Sequence, residues 1–335
     1  MACEVNRRTV LKSLGSVAAG VALSRVGFAA PAVSLGTKPF RGLFPIGSTP
    51  FTPDDKLDLD CLADEIKFCN RASVPGFIWP QIASGWSTMS ASERFAGAEA
   101  ILAAGKGGKT ALAIGVQTEN NDLPGAIAFA KHAAKNGADA ICSLPPKGDD
   151  AALLSYYKVI GNVTDLPLIV QTIGDVSVDV LVEMYRAIPT MRVVKDEAGD
   201  PLQRVTEIRK RTDDKIGVFA GKGIRPLIEE LQLGFAGFCP TVGYADIYQQ
   251  VYELYQAGKP QEAFDMYGRI LAFQSFSHAD QYLMVARGIF KENTTSRHMP
   301  GMGDPNKKPD PPLTEGEKRA VLKALDTYLK PYMRG

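Results

Sequence analysis

The fold is decided by a stretch in the middle of the chain, Met191-Arg192-Val193-Val194-Lys195-Asp196-Glu197-Ala198-Gly199-Asp200, where a short apolar run ends on a lysine and acidic residues. Seven further runs of apolar or β-branched residues occur along the chain, and longer amphipathic stretches separate them. Together the runs predict β-strands at residues 42–48, 76–82, 110–116, 138–144, 167–172, 191–195, 216–221 and 235–241.

Eight strand–helix units in succession predict an α/β fold in which the parallel strands close into a (β/α)8 TIM barrel. An open, doubly wound sheet uses the same alternation, but the even pattern, without a change midway, favours the barrel. We assign residues 39–258 to the barrel and residues 259–335 to a C-terminal helical extension, with helices at about 260–290 and 314–331. Ser90-Ala91-Ser92-Glu93 is a capping box and predicts the start of the second helix.

The charge balance limits the choice of ligands. The 335 residues include 38 Lys and Arg and 37 Asp and Glu, which gives a net charge of +1. This balance provides no electrostatic footprint for nucleic acid or for an anionic membrane, so we expect a small-molecule ligand.

The cysteine and histidine patterns predict neither a disulfide framework nor a metal site. No two of the five cysteines form a CxxC pair, and we expect buried thiols. The three histidines, His132, His278 and His298, are scattered without ligand spacing. Gly221-Lys222-Gly223 lacks the context of a dinucleotide fingerprint, so we expect a βα turn there and no cofactor.

The N-terminus reads as a targeting segment. Asn6-Arg7-Arg8-Thr9-Val10-Leu11-Lys12 resembles a twin-arginine export motif, a short apolar run follows at residues 14–23, and Ala30-Pro31-Ala32 offers small residues for cleavage. Residues 1–32 are therefore expected to be a twin-arginine signal peptide of a periplasmic protein, with no stable membrane insertion after its removal. A basic amphipathic helix is the alternative.

In a barrel of this kind the reacting groups lie at the C-terminal ends of the strands. Lys195 ends an apolar strand, so its amine is expected to point into a partly desolvated barrel mouth. Desolvation favours the neutral amine, which can add to a ketone. A lysine that closes a strand can also be an ordinary solvated residue at the rim, and the strand pattern alone leaves both interpretations open.

Several motifs resemble the dihydrodipicolinate synthase/N-acetylneuraminate lyase family of class I Schiff-base aldolases. In chain order they are Thr49-Pro50-Phe51, Gly137-Ala138-Asp139-Ala140, Asp165-Leu166-Pro167-Leu168-Ile169, Lys195-Asp196-Glu197-Ala198-Gly199-Asp200, Arg287-Gly288-Ile289 and Pro312-Leu313-Thr314. The fourth is similar to the family's Lys-Glu-Ala-Ser-Gly-Asp block, whose lysine forms the imine. The resemblance implies the barrel fold, an imine at Lys195 with a small keto acid, no cofactor, and a homo-oligomer, either a dimer or a tetramer.

This sequence departs from the family where the family places its proton relay. The threonine of the loop after the second strand falls on Ile82, the tyrosine after the fifth strand falls on Gln171, and the tyrosine that subunits exchange falls on Lys147. A glutamine can hold a carbonyl or a water but cannot shuttle a proton near neutral pH. We therefore assign Gln171 to orienting substrate or water, and Lys147 to acid/base chemistry or to pairing with a carboxylate.

The family binds the keto-acid carboxylate with the loop that follows the second strand, so the resemblance implies carboxylate binding at the aligned segment here, residues 81–85. The backbone N–H groups of Ala83, Ser84 and Gly85 can form an anion cradle there. Thr49 and Thr241, at the ends of the first and eighth strands, are further candidates for substrate binding.

Two hypotheses follow. The first is a class I lyase, an aldolase or a hydro-lyase, which forms a Schiff base between Lys195 and a small 2-keto acid or keto-deoxy sugar acid. The second is a non-catalytic exported barrel that binds a keto or sugar acid and has lost the relay.

Overall fold

The computed structural model describes residues 38–223, 226–297 and 312–334. The predicted signal peptide at residues 1–32 and most of the proline-rich stretch before the last helix lie outside these residues.

Each predicted strand is present, most of them shorter than the apolar run that indicates it. The strands are β1 Gly42–Leu43, β2 Gly76–Trp79, β3 Ala111–Gly115, β4 Ala140–Ser143, β5 Leu168–Thr172, β6 Met191–Asp196, β7 Gly217–Ala220 and β8 Gly237–Phe238. The second strand was predicted to reach Ile82, but it ends at Trp79, and a short 3₁₀ helix begins at Ile82 and ends at Ser84. That turn alters the loop on which the carboxylate cradle was predicted.

All strand pairs are parallel, in the order β1-β8-β7-β6-β5-β4-β3-β2. Ile46, just beyond β1, forms parallel bridges to Ile78 of β2 and to Thr241 beyond β8, and these bridges connect the two ends of the sheet. The result is a nearly closed (β/α)8 barrel, which confirms the predicted fold class.

Helices surround the barrel and extend it at the C-terminus. They are α1 Leu59–Arg71, α2 Ala91–Ala104, α3 Leu123–Lys135, α4 Asp150–Asn162, α5 Val178–Ala187, α6 Pro201–Arg211, α7 Leu227–Leu233, α8 Ala245–Gln256, α9 Pro260–Gln274, α10 Ala279–Ala286 and α11 Glu315–Tyr328. The helical stretch predicted at about 260–290 contains two helices, α9 and α10. The capping box at Ser90 is present and starts α2.

The strands alternate between two cores, and this alternation aims the site residues. Val193 of β6 and Ile169 of β5 belong to a cluster inside the barrel, whereas Val194 and Val170 pack outward against the helices. Because successive side chains of a strand point to opposite faces, Lys195 and Gln171 continue the inward rows beyond Val193 and Ile169. The floor beneath them is apolar.

Large and small residues interlock within that floor. The rings of Phe44 and Phe219 meet with centroids 5.0 Å apart. A Cβ added at Gly237 would lie 2.5 Å from the Phe219 ring, so the eighth strand has no side chain at the point where this ring passes. This packing closes the barrel below the mouth and leaves the polar residues above it.

Candidate active site

Lys195 lies at the C-terminal end of β6 with its amine in the barrel mouth. The residue is 4% exposed, and the register of the sheet places it beside Gln171 of β5 on one side and Phe219 of β7 on the other. Of the two positions that the strand pattern left open, the structure shows the buried, inward one and not that of a solvated rim lysine.

Glu197 is the ionic partner of Lys195. Its Oε2 lies 3.2 Å from the Lys195 Nζ, and the same oxygen accepts a hydrogen bond from the Gln171 Nε2. The Glu197 side chain is 15% exposed, three times as much as that of Lys195, so the carboxylate is more accessible to solvent than the amine. Sequence reasoning did not assign Glu197 to the site, although its position two residues after the lysine was a signal.

Asp196, between these two residues, points to the other face of the sheet. Its Oδ1 accepts from the Thr172 hydroxyl at 2.6 Å, and the Arg204 guanidinium of α6 binds both carboxylate oxygens at 2.8 and 3.1 Å. Asp196 is fully buried. Its carboxylate therefore fixes α6 to β5 and β6 and does not contact the Lys195 amine.

The end of β7 leaves room for the lysine and the glutamate. A Cβ added at Gly221 would lie 2.5 Å from the Lys195 Cε and 2.6 Å from the Glu197 Oε1. Gly221 thus permits a close approach of the β7 backbone to both side chains.

Two buried thiols lie close enough to interact electrostatically with Lys195 and Glu197. Burial raises the pKa of Cys239 to about 12, and burial raises the pKa of Cys142 further, in both cases against the charge of Lys195. Cys61 and Cys69 are also free and buried, so the expectation of buried thiols is confirmed for the four described cysteines.

The loop after β2 differs from the predicted anion cradle. The Ser84 N–H donates to the Gln81 carbonyl at 3.1 Å, and the Gly85 N–H donates to the Ile82 carbonyl at 2.9 Å. Of the three predicted N–H donors, Ala83 alone has no partner among the described residues. The cradle prediction is therefore corrected for Ser84 and Gly85, because the 3₁₀ turn uses their N–H groups.

The side chains around this loop are also engaged. The Ser84 hydroxyl donates to the Gly47 carbonyl at 2.6 Å, and the Thr49 hydroxyl donates to the Ser84 carbonyl at 2.6 Å. Thr49 accepts in turn from the Trp79 Nε1 at 3.0 Å. These bonds hold the loop against the end of β1, so Thr49 has a structural role in addition to its predicted one.

Two predicted site residues lie at the rim. Lys147 is exposed in the loop after β4, where its backbone N–H donates to the Asn121 side chain at 2.9 Å. Thr241 is exposed after β8. Neither side chain contacts Lys195, Gln171 or Glu197 within the described part of the chain.

Buried amides form a polar wall that the sequence did not reveal. Gln117 donates to the Pro80 carbonyl at 2.9 Å, and Gln81 donates to the Gln117 Oε1 at 3.4 Å. The Oε1 atoms of Gln81 and Gln171 are buried and accept no hydrogen bond from the residues that the structure describes. Unpaired buried acceptors are costly, so both atoms are available to a donor on a bound molecule or to water.

Among the described residues, no group of three or more His, Cys, Asp or Glu side chains is arranged to hold a metal ion. No helix in these ranges combines the length and the apolar character that a membrane crossing requires.

A barrel with a buried lysine at the end of its sixth strand is the architecture of the class I aldolase-type lyases. A sequence model of the dihydrodipicolinate synthetase family matches residues 39–324. The chain therefore belongs to the dihydrodipicolinate synthetase family, as the motifs predicted.

Individual relatives are more distant. The 4-hydroxy-tetrahydrodipicolinate synthase of Methanosarcina mazei is 31% identical over 192 residues, which cover 55% of this chain and 64% of that protein. The match thus spans less than two thirds of the curated relative. The corresponding enzyme of Oceanobacillus iheyensis is 23% identical over 67% of this chain and 77% of its own length.

Solved structures share the fold at low identity. An N-acetylneuraminate lyase from Mycoplasma synoviae superposes with a TM-score of 0.71 at 20% identity, over 87% of this chain and 99% of that one. A prophage protein of the dihydrodipicolinic acid synthase family from E. coli K12, in complex with pyruvate, gives 0.70 at 19% identity, over 86% and 98% of the two chains.

Proposed function

We propose that this protein is a class I lyase that forms a Schiff base between Lys195 and a small 2-keto acid or keto-deoxy sugar acid. The observation that carries the proposal is the buried Lys195 amine at the C-terminal end of β6. An imine at this position is an electron sink for cleavage of a carbon–carbon bond or for loss of water.

The keto-acid class is supported by the relatives. One structural neighbour was solved in complex with pyruvate, and another is an N-acetylneuraminate lyase. In this chain the Ala83 N–H and the Gln171 Oε1 are the groups that remain to orient such a substrate.

Borohydride trapping tests the imine. The protein is incubated with pyruvate, or with a panel of keto-deoxy sugar acids, then reduced, and its intact mass is measured. We expect one covalent adduct that peptide mapping places on Lys195. Lys195→Arg should abolish the adduct, while Lys158→Arg, at an exposed position on α4, should retain it. The absence of an adduct with every compound of the panel would contradict the proposed imine at Lys195.

The second candidate is a barrel that binds a keto or sugar acid without turnover. It is favoured by the loss of the relay hydroxyls at Ile82, Gln171 and Lys147 and by the closed loop at Ser84 and Gly85. An adduct that forms on Lys195 without release of product from any member of the panel would support this candidate over the lyase.

We also propose that the protein is exported to the periplasm and is a dimer or tetramer. Export rests on the motif Asn6-Arg7-Arg8-Thr9-Val10-Leu11-Lys12, and free buried thiols suit a protein that folds before export. Replacement of Arg7 and Arg8 by lysine should retain the protein in the cytoplasmic fraction. Light scattering of the mature protein measures the oligomeric state, and a monomer would contradict the second part.

A further inference from the structure

We propose that Glu197 is the acid–base catalyst of this site and performs the proton transfers for which the family's hydroxyl relay is absent. The inference rests on the function proposed above, because it concerns the imine at Lys195. It assigns a catalytic role to a residue that the relay pattern of the family does not include.

The geometry points to Glu197 first. One carboxylate oxygen, Oε2, is held by the Lys195 amine at 3.2 Å and by the Gln171 amide. No described residue donates a hydrogen bond to the other oxygen, Oε1. The carboxylate is thus fixed by one oxygen, and its second oxygen is available to a molecule in the mouth.

The neighbouring hydroxyl groups are engaged elsewhere. Ser143, at the end of β4, donates to the Leu144 carbonyl at 3.0 Å and contacts the Tyr156 hydroxyl at 2.8 Å. Tyr157 donates to the backbone carbonyls of Ser143 and Gln171 at 2.9 and 3.0 Å. Thr172 donates to Asp196. None of them is directed at the Lys195 amine.

The remaining acidic groups near the amine do not suit the task. Asp196 is saturated by Thr172 and Arg204 on the outer face. Cys142 and Cys239 lie below the amine as neutral thiols, because burial has raised the pKa of each. Within the described residues, Glu197 is the single ionisable side chain within hydrogen-bond distance of the Lys195 Nζ.

Two positions have changed relative to the family in a complementary way. Aligned with the family block Lys-Glu-Ala-Ser-Gly-Asp, Glu197 stands where that block has alanine, and Gln171 stands where the relay tyrosine is expected. The group that can transfer a proton is thus the Glu197 carboxyl after β6, where the family has a tyrosine hydroxyl after the fifth strand. The side chains of Glu197 and Gln171 contact each other.

The first step forms the imine without a change in the net charge of the site. A proton moves from the Lys195 ammonium to Glu197, and the neutral amine nitrogen bonds to the substrate carbonyl carbon while the carbonyl π pair moves onto oxygen. Glu197 gives its proton to that oxygen and takes one from the nitrogen. It then protonates the carbinolamine hydroxyl, which leaves as water as the C=N bond forms. The products are a protonated imine, water and the Glu197 carboxylate.

The second step uses the same carboxylate as a base. Glu197 removes a proton from the carbon next to the imine, the C–H pair forms a C=C bond, and the C=N π pair moves onto nitrogen. The product is a neutral enamine on Lys195 and a protonated Glu197. In this scheme Gln171 is a positioning residue, because its amide holds the carboxylate and transfers no proton.

The test measures hydrogen–deuterium exchange into the methyl group of pyruvate in D2O, together with the rate of borohydride-trapped adduct. Glu197→Gln keeps the shape but cannot carry a proton, so we expect both rates to fall by about 10²- to 10⁴-fold. Glu197→Asp keeps the carboxylate and should retain more of both rates than the glutamine variant. Glu183→Gln, at an exposed position on α5, is the matched control and should behave like the unmodified protein.

The outcomes separate the two proposals. Exchange and trapping at unmodified rates in Glu197→Gln would overturn the role of Glu197 and leave the imine at Lys195 intact. The absence of an adduct in the unmodified protein would remove the imine, and the role of Glu197 with it. Equal losses in the glutamine and aspartate variants, at an unchanged unfolding midpoint, would indicate that the length of the side chain matters and that its proton does not, which also overturns the proposal.

Discussion

The ends of β5 and β6 carry two sets of polar residues, one on each face of the sheet. Inside the barrel, Gln171 and Lys195 both contact a single oxygen of Glu197. Outside, Thr172 and Arg204 occupy both oxygens of Asp196. Gln171 is the register partner of Lys195, and Thr172 is that of Asp196.

We call Gln171, Lys195 and Glu197 the inner set, and Thr172, Asp196 and Arg204 the outer set. The two sets differ in how many hydrogen bonds each carboxylate accepts. Asp196 is fully buried, and its three side-chain bonds leave no oxygen available, which is the arrangement of a group that holds elements together. Glu197 is partly exposed and keeps one oxygen without a donor. We therefore expect mutations of the outer set to lower stability and mutations of the inner set to lower activity.

The largest expected effect on stability is that of Asp196→Asn. The substitution leaves the Arg204 guanidinium beside a neutral amide in a buried place, and breaking such a pair costs about 3–5 kcal/mol. Urea unfolding should show this loss with an unchanged m-value. Glu197→Gln is the matched variant of the inner set and should lower the free energy of unfolding by less than Asp196→Asn does, because a single contact at 3.2 Å joins Glu197 to Lys195 and the Glu197 side chain is partly exposed. Equal losses in the two variants would contradict the distinction.

Glu230 is a buried carboxyl for which the described residues provide no ion pair. Burial, with a smaller effect of Glu229, raises the pKa of Glu230 on α7 to about 8, from an ordinary value near 4.5. Between these two pH values the folded state keeps a proton that the unfolded chain has lost. The contribution of Glu230 to the free energy of unfolding is therefore fully present below pH 4.5, and it is lost as the pH rises toward 8.

Glu230→Gln removes that titration. The unmodified protein should lose roughly 1 kcal/mol per pH unit between about pH 5 and 8 from this group, about 3 kcal/mol in total, and the variant should lack this part of the slope. The free energy of unfolding is measured at several pH values, with Glu229→Gln, at an exposed position, as the control. Parallel slopes for Glu230→Gln and the unmodified protein would show that Glu230 is not protonated in the folded state.

The sequence predicted the strands that carry the site residues better than it predicted the contacts between their side chains. Alternation along β6 agrees with the inward direction of Lys195, because the period of a strand depends only on the chain itself, but it did not distinguish a buried amine from a solvated one at the rim. Glu197 lies beyond the strand, where the path of the loop determines the direction of the side chain, and the motifs assigned it no role in the site. Its contact with Gln171 depends on the register between two strands, and a single sequence does not specify that register.

The loop after β2 shows a second limit. Its residues align with an anion-binding segment of the family, and this alignment predicted free N–H groups at Ser84 and Gly85. A 3₁₀ turn uses both groups, and the hydroxyls of Ser84 and Thr49 fix the loop to its surroundings. Backbone hydrogen bonds of this kind depend on the dihedral angles of a short turn, and the residue types in it do not determine them.

Gly221→Ala tests whether Lys195 and Glu197 need the space that the glycine leaves beside them. The added Cβ would lie 2.5 Å from the Lys195 Cε and 2.6 Å from the Glu197 Oε1, so the two side chains must separate or shift. We expect a loss of about 2 kcal/mol in stability from the crowding and a slower borohydride-trapped adduct. Gly268→Ala, in α9 with open space around it, should be neutral or slightly stabilising. Unchanged trapping in Gly221→Ala would show that the contact between lysine and glutamate tolerates displacement.

The smallest expected effects come from the neutral members of the two sets. Thr172→Val keeps the shape and removes the hydroxyl that donates to Asp196 and accepts from the backbone N–H groups of Glu197 and Ala198. This loss should cost about 1–2 kcal/mol and lower the trapping rate by less than Gln171→Leu does. Gln171→Leu removes the amide that holds Glu197, so the trapping rate should fall by about tenfold while stability changes by less than about 1 kcal/mol. A reversed pattern, with the valine variant slow and the leucine variant unstable, would place the reacting group on the outer face. Because Gln171 binds the Glu197 carboxylate whereas Thr172 binds the Glu197 backbone N–H and Asp196, this pair compares the side-chain contact of Glu197 with the contacts that hold its backbone.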